Sequence, residues 1–242
     1  MNIPASSPKV VLVTGAGGGV GHATALLMAQ AGYAVVLVGR TKSTLDAVAS
    51  DIAQQHPHAI TLVHVADVTQ SSQVDGLVAT TINTFGRIDA LANCAGSAPL
   101  QAIDAMTDDI IDAALSVNLK SVLYLTRAVW PAFKKQKTGA ICNVSSMASV
   151  DPFTGFNVYA AAKAGVNVFT KATADEGGQF NIIAAAVAPG AVETPMLRQH
   201  FSQDLISTDQ TLPPLAVATV IRDVLTRTRP VEPGQTIFLP SP

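Results

Sequence analysis

The sequence is poor in charge. Asp, Glu, Lys and Arg make up 13% of its 242 residues, whereas hydrophobic residues make up 48%. Because a typical globular domain has about a quarter of its residues charged, we expect part of the surface to be buried between subunits of a homodimer or homotetramer. The 15 basic and 17 acidic residues leave a net charge of −2 without any run of like charges. No surface for nucleic acid or acidic lipid is therefore expected.

The sequence has few cysteines, and it shows neither a histidine cluster nor the pattern of a signal peptide. The two cysteines, Cys94 and Cys142, lie in apolar, strand-like runs without metal or redox spacing, which is typical of small hydrophobes in a reducing cytoplasm. No metal site is expected, because the five histidines form no ligand cluster. They are His22, His56, His58, His64 and His200. The N-terminus has no basic segment followed by an apolar run, so no signal peptide is predicted.

Asp, Glu, Lys and Arg are all absent between Val10 and Gly39. A membrane span would need about 20 continuous apolar residues. Five glycines between positions 15 and 21 interrupt this segment, so a buried strand, a glycine turn and a buried helix fit better. We therefore predict no membrane segment.

What the sequence does contain is an alternation of strand-like runs and helical patterns. The long helical patterns include one from about Thr107 to Lys135 and one from Asn157 to about Gly177. Strands that are apolar on both faces and separated by helices indicate a parallel sheet covered on both sides. The strand-like runs are KVVLVTG, AVVLVGR, ITLVHVAD, DALANCAG, GAICNVSS, NIIAAAVAPG and QTIFLP. The pattern predicts a single doubly wound α/β domain over residues 1–242, with about seven parallel strands between two helix layers.

The glycine loop TGAGGGVG, from Thr14 to Gly21, lies between the first strand and the first helix. Glycines in this position let the backbone approach a pyrophosphate, and the helix N-terminus offers free N–H groups. The alternative is an ordinary tight turn. The strand before the loop and the helix after it favour dinucleotide binding.

Arg40 follows the second strand, where NAD enzymes often place an acid against the ribose hydroxyls. A guanidinium can bind a 2′-phosphate and no carboxylate is there to repel it, which favours NADP(H) over NAD(H). A solvated arginine is the alternative. Asp67, after the third strand, either lies beside the adenine or caps the next helix.

Tyr159 and Lys163 stand four residues apart in a helical pattern and would share one face. We expect the ammonium to lower the pKa of the phenol from about 10, making it a proton donor or acceptor. The alternative is a core tyrosine beside a lysine that extends to solvent. Ser145 and Ser146 end the fifth strand, on the side where ligands bind open α/β sheets. Asn118 lies inside an apolar helix, where asparagine is a poor helix former.

Together these motifs resemble the short-chain dehydrogenase/reductase family in their order along the chain. They are Thr14-Gly-x-x-x-Gly-x-Gly21, Asn93-Cys-Ala-Gly96, Asn118, the serine pair, Tyr159-x-x-x-Lys163 and Pro189-Gly190 with Thr194. The resemblance implies a Rossmann-like core that binds a nicotinamide cofactor and transfers hydride between a carbonyl and an alcohol. It further implies Tyr159 as the general acid/base, Lys163 as its pKa-lowering and ribose-binding partner, Ser146 as the substrate-orienting serine and Asn118 as the residue that positions a relay water.

The resemblance also implies a set of cofactor-binding residues. Besides Tyr159 and Lys163, these are Gly15, Gly17, Gly18, Gly19, Val20, Gly21, Arg40, Asp67, Val68, Asn93, Ala95, Gly96, Pro189, Gly190, Val192 and Thr194. Arg40 alone carries the preference for NADP(H), because the glycine loop lacks the basic residue that many NADP-dependent members have. The family builds its substrate lid around residues 195–214, which here form a short segment.

Two other functions remain open from the sequence. One is an epimerase or dehydratase on the same fold, and the other is a catalytically idle dinucleotide sensor. For assembly we expect the long helix and the Tyr159 helix to contact a second subunit. The apolar residues expected there are Leu123, Leu125, Val129, Trp130, Val166, Val168 and Phe169.

Overall fold

The computed structural model describes residues 8–242; the expectation of no leader segment falls mainly on residues 1–7, outside that range. Seven strands form one sheet in the order β3-β2-β1-β4-β5-β6-β7, and every neighbouring pair is parallel. The strands are β1 (Val10–Thr14), β2 (Ala34–Gly39), β3 (Thr61–Val65), β4 (Ala90–Asn93), β5 (Gly139–Val144), β6 (Ile182–Pro189) and β7 (Thr236–Leu239). The predicted three-layer, doubly wound parallel sheet is confirmed.

Eight α-helices cover the two faces of this sheet. They are α1 (Gly19–Gln30), α2 (Lys42–Gln55), α3 (Ser71–Phe85), α4 (Asp108–Leu115), α5 (Ser121–Gln136), α6 (Asn157–Gly177), α7 (Pro195–Arg198) and α8 (Pro214–Thr226). One hydrophobic core joins α1, α2 and α8 to the sheet, and a second joins α3, α5 and α6 to its other face. The central strands are buried on both faces, which is why their sequences are almost continuously apolar.

The continuous helix predicted from Thr107 to Lys135 is wrong in one respect. A π-helical turn at Ser116–Lys120 separates α4 from α5. Single π turns inside helices occur frequently at functional sites, and this one contains the buried Asn118. The turn explains why an asparagine stands inside an apolar helical pattern.

The apolar residues predicted to contact a second subunit do not all reach the surface. Leu125, Val129 and Val166 are buried in the core of their own chain, so for them the expectation is wrong. These helices carry more apolar residues than one face can hold because they pack on the sheet of their own chain. Val168 is 73% exposed, and it remains available for a contact between subunits.

Polar side chains at the amino edge of the sheet, where the strands begin, bind one another. Asp89 accepts hydrogen bonds from the Val10 backbone N–H, at 2.8 Å, and from both Nε and Nη2 of Arg87. Arg227 donates to the side chain and the backbone carbonyl of Asn181. These bonds fasten the start of β1 to Asp89, which precedes β4, and join Asn181, which precedes β6, to the end of α8.

Candidate active site

A cavity of about 810 Å³ opens at the carboxyl edge of the sheet. It lies where the strand order reverses, between β1 and β4, which is the position at which doubly wound sheets bind their ligands. Its walls come from the glycine loop, the ends of β4, β5 and β6, the start of α6 and the segment after β6. Every element that carries a predicted catalytic residue therefore reaches this cavity.

The glycine loop is built for close backbone contacts. Gly15 and Gly19 have positive φ angles of 63° and 53°, and a Cβ on Gly21 would lie 2.1 Å from the Gly15 carbonyl oxygen. A side chain at Gly18 would meet no atom within 4 Å, so the loop is open on the side of the cavity. No side-chain hydrogen bond caps α1 within the described chain. The first N–H groups of this helix are thus available to an anion.

Arg40 lines the cavity at the end of β2, together with Thr44 on the first turn of α2. Thr44 was not predicted as a site residue. A Cβ on Gly17 would lie 2.5 Å from the Thr44 hydroxyl oxygen, so this threonine packs directly against the glycine loop. The neighbouring Lys42 is held by Asp46 one helical turn away, with Nζ 2.7 Å from Oδ2.

The end of β4 is held against β1 by Thr14. Its hydroxyl oxygen accepts hydrogen bonds from the backbone N–H groups of Cys94 and Ala95, at 3.1 and 3.2 Å. Ala95 and Gly96, which were predicted to bind cofactor, line the cavity, whereas Asn93 is buried and donates to Asn143. Burial raises the pKa of Cys94 to about 12, in keeping with a small hydrophobe rather than a nucleophile.

Three predicted cofactor-binding residues do not line this cavity. Besides Asn93, these are Asp67 and Val68. The Asp67 carboxylate accepts hydrogen bonds from the backbone N–H and the hydroxyl of Thr69, both below 3 Å. The expectation that Asp67 caps the next helix is wrong, because the N-cap residue of α3 is Gln70. Asp67 instead orders the turn before α3, and Val68 is buried beside it.

Tyr159 and Ser146 both line the cavity, and the Ser146 side chain is close enough to affect the pKa of the phenol. Tyr159 lies near the start of α6, and Ser146 follows β5, where its Oγ accepts from the Ala148 N–H at 3.1 Å. Burial raises the pKa of Tyr159 above its ordinary value, and the Ser146 side chain opposes the rise. The expected lowering of this pKa by Lys163 is not confirmed.

Lys163 shares the helical face of Tyr159, as predicted, but its ammonium is engaged elsewhere. Nζ donates to the Val144 carbonyl oxygen at 2.7 Å and lies 5.7 Å from the centroid of the Tyr159 ring. The residue is only 4% exposed, and burial lowers its pKa to about 8. Ser145 also borders the cavity, but it is 1% exposed and its hydroxyl donates to the Lys163 backbone carbonyl, so Ser146 is the serine more available to a ligand.

Asn118 fixes the loop after β4 from within the π turn. Its Oδ1 accepts from the Ser97 N–H at 3.2 Å, and its Nδ2 donates to the carbonyl oxygens of Ser97 and Ala114. A Cβ on Gly96 would lie 2.9 Å from this Oδ1 and 3.6 Å from Lys163 Nζ. The asparagine, the loop glycine and the lysine are thus in direct proximity at the floor of the cavity.

The segment after β6 closes one side of the cavity. Four residues that were predicted to bind cofactor line it: Pro189, Gly190, Val192 and Thr194. The Thr194 hydroxyl oxygen caps α7 by accepting from the Leu197 N–H. Arg198 then binds the carboxylate of Glu193 and donates to the carbonyl oxygens of Phe201 and Ile206, the latter at 2.7 Å. One guanidinium therefore joins Glu193, just before the lid at 195–214, to Phe201 and Ile206 within it.

Three phenylalanines on the substrate side were not predicted as site residues. Phe153 and Phe156 precede α6, and Phe201 follows α7 on the lid. The ring centroid of Phe156 lies 5.4 Å from that of Tyr159 and 6.1 Å from that of Phe201. The only available signal was the presence of two phenylalanines just before Tyr159, because the contact with Phe201 joins segments some 45 residues apart (201 − 156 = 45).

Sequence comparisons place this geometry among known proteins. The profile of the short chain dehydrogenase family matches residues 9–205. The 3-oxoacyl-[acyl-carrier-protein] reductase FabG of Thermotoga maritima is 40% identical over 188 residues, covering 78% of this chain and 76% of that protein. The levodione reductase of Leifsonia aquatica is 35% identical over 196 residues, covering 81% and 73%.

Solved structures agree with the sequence relatives over nearly the whole chain. A levodione reductase crystal structure superposes with a TM-score of 0.91 at 30% identity, covering 96% of each chain. An actinorhodin polyketide ketoreductase variant with NADPH gives 0.88 at 26% identity, covering 97% and 96%. The Brucella melitensis 3-ketoacyl-(acyl-carrier-protein) reductase with NADH gives 0.87 at 28% identity, covering 96% of each chain. From the profile match over most of its length, from these relatives and from its fold, the chain belongs to the short chain dehydrogenase family of oxidoreductases.

Proposed function

We propose that this protein is an NADP(H)-dependent oxidoreductase that interconverts ketones or aldehydes with alcohols. The observation that carries the proposal is that Ser146, Tyr159, Lys163 and Asn118 border the same cavity as the glycine loop. A dinucleotide on that loop would bring its reactive ring to the Tyr159 side. Residues 1–242 would act as one domain, with residues 195–214 as the lid.

The residues of the cavity fit a dinucleotide. The uncapped start of α1 suits a pyrophosphate, since its free N–H groups and the open loop at Gly18 face the cavity. The cavity volume of about 810 Å³ lies in the range of cofactor sites. When bound, the nicotinamide cofactor supplies the hydride.

The chain's own residues would handle the proton. A raised pKa keeps the Tyr159 phenol protonated at neutral pH, so it can donate to a carbonyl oxygen that Ser146 also binds. Lys163 would stabilise the resulting phenolate, since a neighbouring ammonium favours the charged form. Asn118, which orders the loop at Ser97 and Gly96, would position the groups that return a proton from solvent.

The preference for NADP(H) rests on Arg40 with Thr44. Both line the cavity at the far end of the glycine loop from Tyr159, where an adenosine ribose would lie. A guanidinium and a hydroxyl together can bind a 2′-phosphate. Solved relatives carry NADPH in one case and NADH in another, so use of NAD(H) is the alternative that the experiment must measure.

The test is a screen of carbonyl compounds with NADPH and with NADH, read as loss of the absorbance of the reduced nicotinamide. We expect turnover with both cofactors and a higher kcat/KM with NADPH. An epimerase or dehydratase would convert substrate without net consumption of the reduced cofactor. A sensor would bind cofactor without turnover. Either result would overturn the proposal.

Assembly and location are part of the same proposal. We infer a homodimer or homotetramer, because the sequence is poor in charge and Val168 on α6 is exposed. We place the protein in the cytoplasm, as expected for an enzyme with two unpaired cysteines and a nicotinamide cofactor. Among the described residues, none of the helices has the length and apolar character that crossing a bilayer requires. Sedimentation and fractionation measurements would check both inferences.

A further inference from the structure

The substrate side of the cavity is aromatic. Phe153, Phe156 and Phe201, called here the aromatic wall, lie with ring centroids 6.1 to 6.5 Å apart, two of the three pairs edge-to-face. The Phe156 ring lies 5.4 Å from the Tyr159 ring, so the wall begins beside the proposed proton donor. Phe153 is 66% exposed although it lines the cavity. A ligand that covers this ring would gain hydrophobic free energy.

Charged groups on this side of the cavity are few. Of the cavity-lining residues, the basic ones are Arg40, at the opposite end, Lys163, whose ammonium is bound to the Val144 carbonyl, and His200, beside Phe201. The acid among them is Asp151, which lies two residues before Phe153. A carboxylate or phosphate on the substrate would therefore meet a negative neighbour and no free lysine or arginine.

We propose that this site takes an uncharged carbonyl compound whose carbonyl carbon carries an aromatic ring or is itself part of an alicyclic ring. The inference rests on the proposed function, because it takes the carbonyl oxygen to be held by Ser146 and Tyr159. With the oxygen there, the substituent next to the carbonyl carbon lies against Phe156.

A ring suits this wall better than a linear chain. Aromatic rings prefer edge-to-face or offset contacts with centroids about 4.5–7 Å apart, the spacing the wall already has within itself. A rigid ring also loses less conformational entropy on binding than a flexible acyl chain of the same carbon number. The Arg198–Glu193 fastening supports this selection, since it holds the backbone of Phe201 and keeps the third ring in place.

The experiment compares four substrates of stated chemistry with NADPH and with NADH. They are acetophenone, 4-methylcyclohexanone, the linear ketone 2-octanone and the 3-oxoacyl thioester acetoacetyl-CoA. We expect kcat/KM for the two ring ketones to exceed that for 2-octanone and for the thioester by about tenfold or more. The anionic thioester is expected to be the poorest of the four.

Variants locate the effect on the wall. Phe153→Leu and Phe201→Leu keep the apolar character but remove a ring, and each should lower kcat/KM for acetophenone by roughly 3- to 10-fold. The value for 2-octanone should change less than twofold. Phe180→Leu, at the amino edge between α6 and β6, is the matched control and should leave both values unchanged. Because Phe153 is exposed, its variant is expected to fold with an unchanged melting temperature.

The outcomes separate two kinds of failure. The ring-ketone proposal is overturned, while the oxidoreductase stands, if 2-octanone or acetoacetyl-CoA is the better substrate. It is also overturned if the wall variants have the same kcat/KM as the parent protein for all four compounds. If none of the four compounds is turned over but other carbonyl compounds of the wider screen are, the ring-ketone proposal is again overturned and the oxidoreductase stands. If cofactor binds but no carbonyl compound of that screen is turned over, the proposed function fails, and this inference fails with it.

Discussion

The two edges of the sheet use similar polar residues in opposite ways. At the amino edge, Arg87 donates hydrogen bonds to Asp89, and Arg227 donates one to Asn181. At the carboxyl edge, Arg40, Ser146 and Tyr159 border an open cavity. The chemistry of the side chains does not distinguish these edges. The distinction lies in whether their hydrogen-bonding capacity is used within the chain or presented to a ligand.

This contrast separates residues that stabilise the fold from residues that serve a ligand. Removing one partner of a buried ion pair lowers the free energy of unfolding, but such a pair takes no part in the reaction. A polar group on a cavity contributes to chemistry and can even reduce stability, as strained or buried functional groups do. Each prediction below tests one edge against the other.

Two tyrosines give the largest contrast. Tyr159→Phe should lower kcat by about 10³-fold while cofactor affinity is retained, because positioned proton donors contribute about 10²- to 10⁴-fold. Tyr33→Phe, at the start of β2, is the matched control and should keep full activity. Steady-state kinetics and cofactor titration measure both. Retention of most of the turnover by Tyr159→Phe would remove the catalytic assignment.

The amino edge should show the reverse pattern. Asp89→Ala leaves Arg87 and the Val10 N–H without their partner, at a cost of about 3 kcal/mol in the free energy of unfolding. The side chains of Asp89 and Arg87 are 6% and 19% exposed, so solvent screens this pair little. Urea unfolding should show the loss, with kcat unchanged at temperatures where the variant is folded.

The control for the amino edge is an exposed ion pair. Asp75 and Arg127 form an ion pair in which both side chains are about 60% exposed. Asp75→Ala removes this pair and should change the free energy of unfolding by less than about 0.5 kcal/mol. Equal losses in Asp75→Ala and Asp89→Ala would contradict the role assigned to burial.

Arg40 should affect cofactor choice without affecting the fold. Arg40→Ala should raise KM for NADPH by roughly 10- to 30-fold, since hydrogen bonds to charged groups contribute about 1.5–3 kcal/mol, and should leave KM for NADH within about twofold. Kinetics with both cofactors measure the ratio. An equal rise for both would mean that the arginine orders the loop after β2 instead of binding a 2′-phosphate.

Lys163 offers the smallest but most unusual effect, a gain in stability. Burial lowers its pKa to about 8, so above that pH the folded chain has lost a proton that the unfolded chain keeps until about pH 10.4. The contribution of this group to the free energy of unfolding therefore rises between pH 8 and 10.4. Below pH 8, burying the charged group costs on the order of 3 kcal/mol. Lys163→Met removes that cost but also the bond to the Val144 carbonyl, about 1–2 kcal/mol.

The variant should consequently be more stable at pH 7 by about 1–2 kcal/mol, or a few degrees in melting temperature, while activity is lost. Melting curves at pH 7 and pH 10 provide the measurement, and the advantage of Lys163→Met should shrink at the higher pH. A variant less stable than the parent protein at pH 7 would contradict the predicted cost of burial.

Much of this organisation could be read from local sequence. The strands are short apolar runs, the glycine loop follows the first of them, and the four-residue spacing places Tyr159 and Lys163 on one helical face. These features depend on residues close together in the chain. The confirmed parallel sheet then brings the ends of β1, β4, β5 and β6 to one edge.

The features that escaped prediction depend on contacts between distant segments. Thr44 meets Gly17 only because β1 and β2 pair in register, and the Phe156–Phe201 contact requires the lid to fold back over α6. The expected effect of Lys163 on Tyr159 assumed that proximity decides the pKa. In this structure burial has the larger influence on the Tyr159 pKa, and the Lys163 ammonium is bound to the Val144 carbonyl.

The π turn at Ser116–Lys120 makes the site sensitive to chain length. Deleting one residue there would allow α4 and α5 to join as a regular α-helix, in which each residue turns the helix by about 100°. Because a π turn holds about one residue more than an α turn, the two helices would keep their directions, and only the side chains within the turn would be reoriented. Asn118 would then swing out of reach of Ser97 even though every chemical group remained. The placement of this amide thus depends on the number of residues between α4 and α5, as well as on the asparagine itself.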